Sequence, residues 1–435
     1  MLAQRPEPQP EPQPAPQPEP EPEPESEPEP QPAPPDEPPP LAANVTHETG
    51  WQMQVLEPPL PAPLVEELLA LWLHPEVFNH FPDDGEAGTR AQFAGAEREF
   101  NRHVLYVARV DGVVAASCKL TVSRPAASGS LGEVATLPAY RRRGIAQQLC
   151  SRAAADFAGL GGQMLTLGTT NPVAARRYHA IGYRRLPGTN VWYINVADDR
   201  SPEEYFVDHF KAAGASGEEV TVESGTPAAR THMLALLHSP HDTMVLDANL
   251  ALYSTRVSVQ GSVNGLYPRY AAVLDEADEG SESIPTRRAR GGWWTAQAPN
   301  GTLIGLASAV TRPRALRHTR RRWGSERGVC WVDGFVHGRW GEGVWRRLLG
   351  AALRWAAESG FRRCRARSDT APYRPCRSIS AQCLTSLVWL ASGLRVGMRR
   401  SSSASAGLAS RPSPQASAGA NHHTTPARSY WPVRG

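Results

Sequence analysis

One segment, Leu131–Ala146 (LGEVATLPAYRRRGIA), limits the possible folds more than any other part of the chain. It reads as a strand, a tight loop of arginine and glycine, and a helix that starts at once. The first turn of a helix leaves backbone N–H groups without partners, and the peptide dipoles place partial positive charge there. A glycine at that point lets a ligand approach the backbone, so the segment predicts a seat for a phosphate or pyrophosphate. Arg141, Arg142 and Arg143 either add fixed charge to that seat or form a solvated surface.

The surrounding pattern alternates strands with helices. Gln52–Leu56 reads as a first strand. Leu64, Leu68, Leu71 and Trp72 lie at helical spacing, and Thr89–Asn101 is a second helix candidate. Val104–Val110 and Val113–Ser123 are β-rich and joined by Asp111-Gly112, a strong hairpin signal. Leu131–Leu137 is a further strand, and Gly144–Leu160 is a helix with Ile145, Leu149, Ala153 and Phe157 on one face. Met164–Leu167 is a short strand. Asn171-Pro172 opens a helix over Val173–Ile181 that Gly182 ends, and Val191–Val196 is a closing strand. An α/β or α+β sheet fold follows. The second half repeats the pattern: Trp293–Ala298 and Leu303–Val310 mirror the hairpin, Val329–Val336 the strand and Gly343–Gly360 the long helix. The offsets cluster near 190–200 residues, which predicts an internal duplication.

At 435 residues the chain has length for two domains and a substantial core. Its net charge of +3 singles out no partner, but the ends differ. Residues 1–40 carry ten acidic groups and one arginine amid alternating proline; residues 361–435 carry twelve arginines and one acidic group. Both compositions predict disorder. Aromatic residues are sparse around the C-terminal arginines and no folded motif surrounds them, so nucleic acid is not expected as a partner. The six cysteines show no C-x-x-C spacing and no nearby histidine at ligand spacing, so no metal is expected, and scattered thiols suit a reducing compartment. No apolar run reaches membrane-spanning length and no export signal opens the chain, so a cytoplasmic location and no membrane partner are expected.

Two motifs carry a family resemblance. Arg141-x-x-Gly144-x-Ala146 resembles the acetyl-CoA pyrophosphate loop of the GNAT family of N-acetyltransferases. Downstream, Asn171-Pro-Val-Ala174-Ala-Arg-Arg-Tyr178-His-Ala-Ile-Gly182-Tyr183 is similar to that family's N-x-x-A-x-x-x-Y-x-x-x-G-F/Y segment. The resemblance covers 51–196, about a third of the chain. It implies a mixed, mostly antiparallel GNAT-like sheet flanked by helices, duplicated, with disordered termini. The expected domains are a tail over 1–44, a GNAT domain over 45–200, a degenerate GNAT-like domain over 205–364 and a tail over 365–435.

The resemblance implies acetyl transfer from acetyl-CoA directly to a primary amine, with no metal. The pyrophosphate would sit on Arg141, Arg142, Arg143, Gly144, Ile145, Ala146 and Gln147. The strand before the loop would splay from its neighbour to admit the pantetheine arm, with Val134, Thr136 and Leu137 beside the thioester and Asn171 and Ala174 beside the arm. Tyr178 stands where the family places its general acid; a helix aromatic packed on the sheet is the alternative. Glu133 is the candidate base or, if alternation turns it away, a solvated strand residue. Asn171 binds the arm, caps its helix, or does both. His74, His80, His103 and His179 read as structural or exposed, and Cys118 and Cys150 as small core residues. Two alternatives remain in function: a longer acyl group, and a catalytically weak interaction or regulatory protein. A small-molecule or peptide amine is the expected partner.

In the second repeat, aligned by its helix, Trp340, Gly341, Glu342 and Trp345 replace Arg141, Arg142, Arg143 and Ala146, with Gly343 in the place of Gly144. This domain is expected not to bind coenzyme A. The amine pocket is expected between Leu64–Phe100 and the loop Ser123–Ser130.

Overall fold

The computed structural model of the chain describes residues 45–46, 50–123, 128–214, 219–254, 265–275, 291–310, 329–361, 363–366 and 395–396. The stretch 1–44 and nearly all of 365–435, read from sequence as disordered, lie outside the described residues. The chain divides into two units. One holds the chain to Ala212 with Thr226–Ser239 and Ser258–Pro268; the other holds Ala213–Gly225, Pro240–Val257 and everything from Arg269. Among the described residues no helix is long and apolar enough to cross a membrane.

The first unit runs β1 (Val45–Thr46), β2 (Trp51–Leu56), α1 (Ala62–Leu73), α2 (Gly85–Phe93), β3 (Asn101–Val110), β4 (Val113–Ser123) and β5 (Ser128–Thr136). It continues with a 3₁₀ turn at Pro138–Tyr140, α3 (Ile145–Gly159), β6 (Met164–Gly168), α4 (Pro172–Ile181), β7 (Arg184–Arg185), β8 (Val191–Asn195), α5 (Pro202–Ala212) and, further on, α6 (Ala229–His238). The strands form one sheet in the order β1-β2-β3-β4-β5-β6-β8-β7. Every pair is antiparallel except β5 with β6. The β3–β4 turn has positive φ at both Asp111 (50°) and Gly112 (81°), as a two-residue hairpin turn matching strand twist requires.

Both faces of the sheet are covered. Strand β4 sends Cys118 and Leu120 into a core with Tyr106, Leu149 and Phe157 under α3. The opposite face receives Leu68 and Trp72 from α1 and Phe93 from α2, packed on Leu105 and Val107. Burial of each of these large side chains contributes roughly 1.5–3 kcal/mol. The helix expected over Thr89–Asn101 instead spans Gly85–Phe93. Gly95, at φ +90°, donates its N–H to Gln92 O and stops the helix; its apolar spacing does not reveal that stop.

The expected boundary near 200 does not coincide with the division. Helix α6 lies on β4 and β5 of the first unit. Thr231 there donates to Ser128 O at 3.1 Å, and its own N–H reaches Ser123 Oγ. Arg230, only 7% exposed, binds Asp84 at 3.0 Å and Glu97 at 2.6 Å and stacks over the Tyr267 ring. Burial pushes the Glu97 carboxyl up, but the hydrogen bond from His103 and the Arg230 charge outweigh it and hold it at about 2. His103 is itself buried, with both ring nitrogens engaged by Glu97 and Thr121, and burial pushes its pKa down. A neutral ring with its proton on Nε2 satisfies both partners.

The second unit contains β9 (Thr221–Ser224), β10 (Val245–Asp247), β11 (Leu252–Tyr253), β12 (Gly291–Gln297), β13 (Leu303–Val310), β14 (Val329–Val336), α8 (Glu342–Glu358), β15 (Arg363–Ala366) and β16 (Arg395–Val396). Helix α7 (Leu266–Asp275) belongs partly to each unit. The order β9-β12-β13-β14-β15 repeats β2-β3-β4-β5-β6: three antiparallel pairings, then one parallel. The duplication is therefore present in the topology. At its centre Asp247 is fully buried and accepts hydrogen bonds from Ser308 Oγ (2.7 Å) and Leu250 N (3.3 Å).

Two outcomes are expected. Replacing Arg230 with Met strands two buried carboxylates and should cost about 3–5 kcal/mol in denaturant unfolding of the first unit, partly regained when Asp84→Asn and Glu97→Gln are added. Burial, with Asp333 nearby, pushes the Asp247 carboxyl up to about 7. A raised folded value means that this stabilisation is complete below the ordinary carboxylate range and is lost as pH rises through about 7. Denaturant stability of the second unit should therefore fall from about pH 4 to about pH 7 and level off above that, and Asp247→Asn should flatten the slope; tryptophan fluorescence reads both.

Candidate acyl-donor site and acceptor face

The site is built where two strands part. Strands β5 and β6 pair only over Ser128–Ser130 with Met164–Thr166, although β5 continues to Thr136 and β6 to Gly168. Along its other edge β5 stays paired with β4 as far as Thr136 opposite Ala116. The β5 edge from Leu131 to Thr136 that faces away from β4 thus has no strand partner among the described residues. The expected splay is present.

Beyond it, Arg142 (φ +64°) and Gly144 (φ +76°) turn the chain through left-handed conformations into α3. Among the described residues the N–H groups of Arg142 through Gln147 find no acceptor; the first helical bond is Gln148 N to Gly144 O at 3.1 Å. Unpartnered amides at the start of a helix of this length form an anion seat. A Cβ on Gly144 would meet only Gln148 Nε2, at 3.8 Å, so the glycine serves its φ rather than a close contact.

The three arginines separate in role. Arg141 donates through Nε to Thr136 O at 3.2 Å and through Nη2 to Glu76 O, so its guanidinium braces the loop against the chain after α1. Arg143 donates to Ala139 O at 3.3 Å and lies over the Tyr140 ring. Arg142 is exposed and has no partner among the described residues. Ile145 is buried in the core, so it offers a ligand its backbone only; Ala146 and Gln147 are half-buried.

On β5, Val134 and Thr136 are half-buried. The Leu137 N–H is donated to Ala115 O at 2.9 Å, so that amide is not free for a thioester oxygen, contrary to expectation. Asn171 accepts from Val173 N (2.9 Å) and Ala174 N (3.3 Å), which makes it a true helix cap and engages the Ala174 amide. Its Nδ2 group has no partner among the described residues.

Tyr178 is buried, packs against Tyr183 at 5.8 Å between ring centroids, and belongs to the core beneath α3. Burial, then the neighbouring Cys150 and Cys118, pushes its phenol well above the usual range. It is a neutral donor at any physiological pH. Cys118 and Cys150 are buried core thiols.

Glu133 is not a solvated strand residue: its side chain is 6% exposed. Strand β5 carries one extra residue here, between Ala135 opposite Ser117 and Gly132 opposite Lys119, and Glu133 takes φ +47° at that bulge. The Trp72 indole donates to Ser117 Oγ (2.9 Å), which donates to Glu133 O (2.8 Å) and holds the bulge from the α1 face. The carboxylate has Lys119 Nζ at 3.4 Å. Burial pushes its pKa up, opposed mainly by Lys119. Lys119, Ser117, Gln92 and Arg230 escaped the sequence reading. The one available signal was a lysine amid the apolar run of β4.

The second unit departs from this geometry. Five residues, 337–341, join β14 to α8, against eight, 137–144, between β5 and α3. The helix-start glycine is Gly341 rather than Gly343, which lies inside the first turn, and Gly341 has φ −81°. Trp340 fills the loop and is 3% exposed. The β13–β14 register runs without a bulge.

Residues 66–183 match the model of the acetyltransferase (GNAT) family. The chain contains a GNAT domain. Among solved structures it is similar to a GNAT acetyltransferase of Staphylococcus aureus Mu50, at 16% identity over 33% of this chain and 99% of that one, with a TM-score of 0.27. It is similar to yncA of Salmonella typhimurium, solved with its cofactor acetyl-CoA, at 15% identity over 34% and 97% of the two chains, with a TM-score of 0.27. A tandem GNAT protein from the clavulanic acid biosynthesis pathway aligns over 70% of this chain and 86% of its own at 14% identity, with a TM-score of 0.28. A search of curated protein sequences found no match to the chain.

Removing the cap is a direct test of the α4 geometry. Asn171→Ala should destabilise the first unit by about 1 kcal/mol in denaturant unfolding, and Asn171→Ser should recover most of that.

Proposed function

We propose that the first unit transfers an acetyl group from acetyl-CoA directly to a primary amine. The observation that carries this reading is the run of unpartnered amides, Arg142 to Gln147, at the start of α3 beside the unpaired edge of β5. The amides and the helix dipole bind the pyrophosphate, and exposed Arg142 adds charge. The β5 edge from Leu131 to Thr136 hydrogen-bonds the pantetheine arm as a further strand would, with the Asn171 Nδ2 group as an additional donor. A β5 amide near Val134 stabilises the thioester oxygen as negative charge develops on it.

Glu133 takes the proton that the amine must lose, directly or through a water, and buried Tyr178 donates one to the departing sulfur. One C–N bond forms, one C–S bond breaks, and no enzyme nucleophile intervenes. Much of the acceleration comes from holding amine and thioester in line. The second unit, with its short loop and buried Trp340, binds no acetyl-CoA.

Calorimetry on the full chain tests this. One acetyl-CoA per chain is expected. Gly144→Val places a β-branched side chain at φ +76° and should weaken binding at least about tenfold with the circular dichroism spectrum unchanged. Tyr178→Phe should lower kcat about a hundredfold, read by thiol release against a panel of polyamines, aminoglycosides, amino acids and lysine peptides, with acetyl-CoA affinity intact. Two bound nucleotides, or full affinity in Gly144→Val, would refute the reading.

A further inference from the structure

The face of the sheet beneath α1 and α2 carries an unusual load of buried charge. Lys119 is 5% exposed in the middle of β4, and a buried ammonium needs an anion. The acidic groups around it are already divided. Asp84 takes the Arg230 guanidinium through both oxygens, at 3.0 and 3.3 Å. Glu97 is held by Arg230, His103 and Asn101. The carboxylate paired with Lys119 is Glu133, at 3.4 Å. Gln92, from α2, fixes the ammonium by accepting a hydrogen bond from Lys119 Nζ through Oε1 at 3.1 Å.

Seen from Glu133, the asymmetry is greater. The titratable groups that act on it electrostatically are Lys119 and, across the sheet, Cys118 on β4, and Asp83 and Asp84 on the segment entering α2. Lys119 is the cation among them. The Glu133 Oε2 that meets Lys119 Nζ at 3.4 Å is buried and makes no well-aligned hydrogen bond, so the contact is an ion pair. An ion pair of this kind fixes where the carboxylate sits without a directed hydrogen bond.

We propose that Lys119 is a positioning residue of the transfer reaction, holding Glu133 in place as the base that receives the amine proton. This rests on the reading of Glu133 given above. Lys119 does not touch the substrate; its ammonium opposes burial and the two aspartates and so favours the charged form of Glu133. Without it, the remaining influences on Glu133 all favour the protonated acid, which cannot take the amine proton.

The test uses the full chain labelled with [δ-¹³C]glutamate, the Glu133 resonance being assigned by its loss in Glu133→Gln. In Lys119→Met the Glu133 titration midpoint should rise by at least about one pH unit. The ascending limb of kcat/KM should rise with it, activity above that limb should recover to within about threefold of the parent, and Lys119→Arg should restore the parent profile. If Lys119→Met does not fold, Gln92→Leu removes the anchor of the ammonium and should give a smaller shift in the same direction. An unmoved midpoint, or a loss of activity equal at every pH, overturns the proposal. If Glu133→Gln itself retains the ascending limb, Glu133 is not the base and the role of Lys119 falls with it. If that limb disappears in Glu133→Gln yet stays in place in Lys119→Met, only the role of Lys119 falls.

Discussion

Strand β5 is hydrogen-bonded along one edge for nearly its whole length and along the other for three residues. A strand left half-paired inside a sheet exposes N–H and C=O groups that must find partners. Here that unpaired edge leads into the amides at the start of α3. The two sets of unsatisfied groups have different chemistry. The edge suits an extended amide-bearing arm, and the helix start suits an anion. The bulge at Glu133 belongs to the same arrangement, because the extra residue turns a carboxylate onto the α1 face while Tyr178 sits on the α3 face. A regular β5 would change the face on which the Glu133 side chain lies relative to its neighbours, since every side chain beyond a bulge changes side.

The parts of this arrangement readable in the sequence are those in which local chemistry decides structure. Asp111-Gly112 takes positive φ wherever it joins two strands. Asn171 followed by Pro172 caps a helix, and Gly182 ends it at φ +111°. The period of Ile145, Leu149, Ala153 and Phe157 survives because the buried face of α3 needs it. What was not readable depends on partners distant in sequence. Alternation assigns faces only where the register is regular, so the bulge hid the surroundings of Glu133. The exposure of Arg142 and the engagement of Arg141 by the Glu76 carbonyl depend on where the chain after α1 passes. Arg230 lies far beyond the family-matched stretch, and only tertiary packing shows that it completes that domain.

The second unit shows which features the fold requires and which the site requires. Its strand order and directions repeat those of the first, because the core of such a sheet depends on apolar strands and one long amphipathic helix. Loop length, the left-handed glycine and the bulge are all gone. None of these stabilises a core: left-handed backbone and bulges cost energy unless a ligand or catalytic group makes use of them. Their absence together, with the sheet preserved, separates what the fold needs from what the loop of the first unit adds to it.

The buried charge beneath α1 and α2 follows the same logic from the opposite direction. Ion pairs removed from water return little net stability, and apolar residues of similar size would pack that face at least as well. Yet the first unit places Lys119, Glu133, Glu97, Asp84 and Arg230 there, and recruits α6 from beyond the sheet to supply the last. The Arg230 cluster binds the Asp84 and Glu97 carboxylates. With those carboxylates occupied by Arg230, Lys119 pairs with Glu133. The division of charge, rather than the number of ion pairs, is what the additional helix secures.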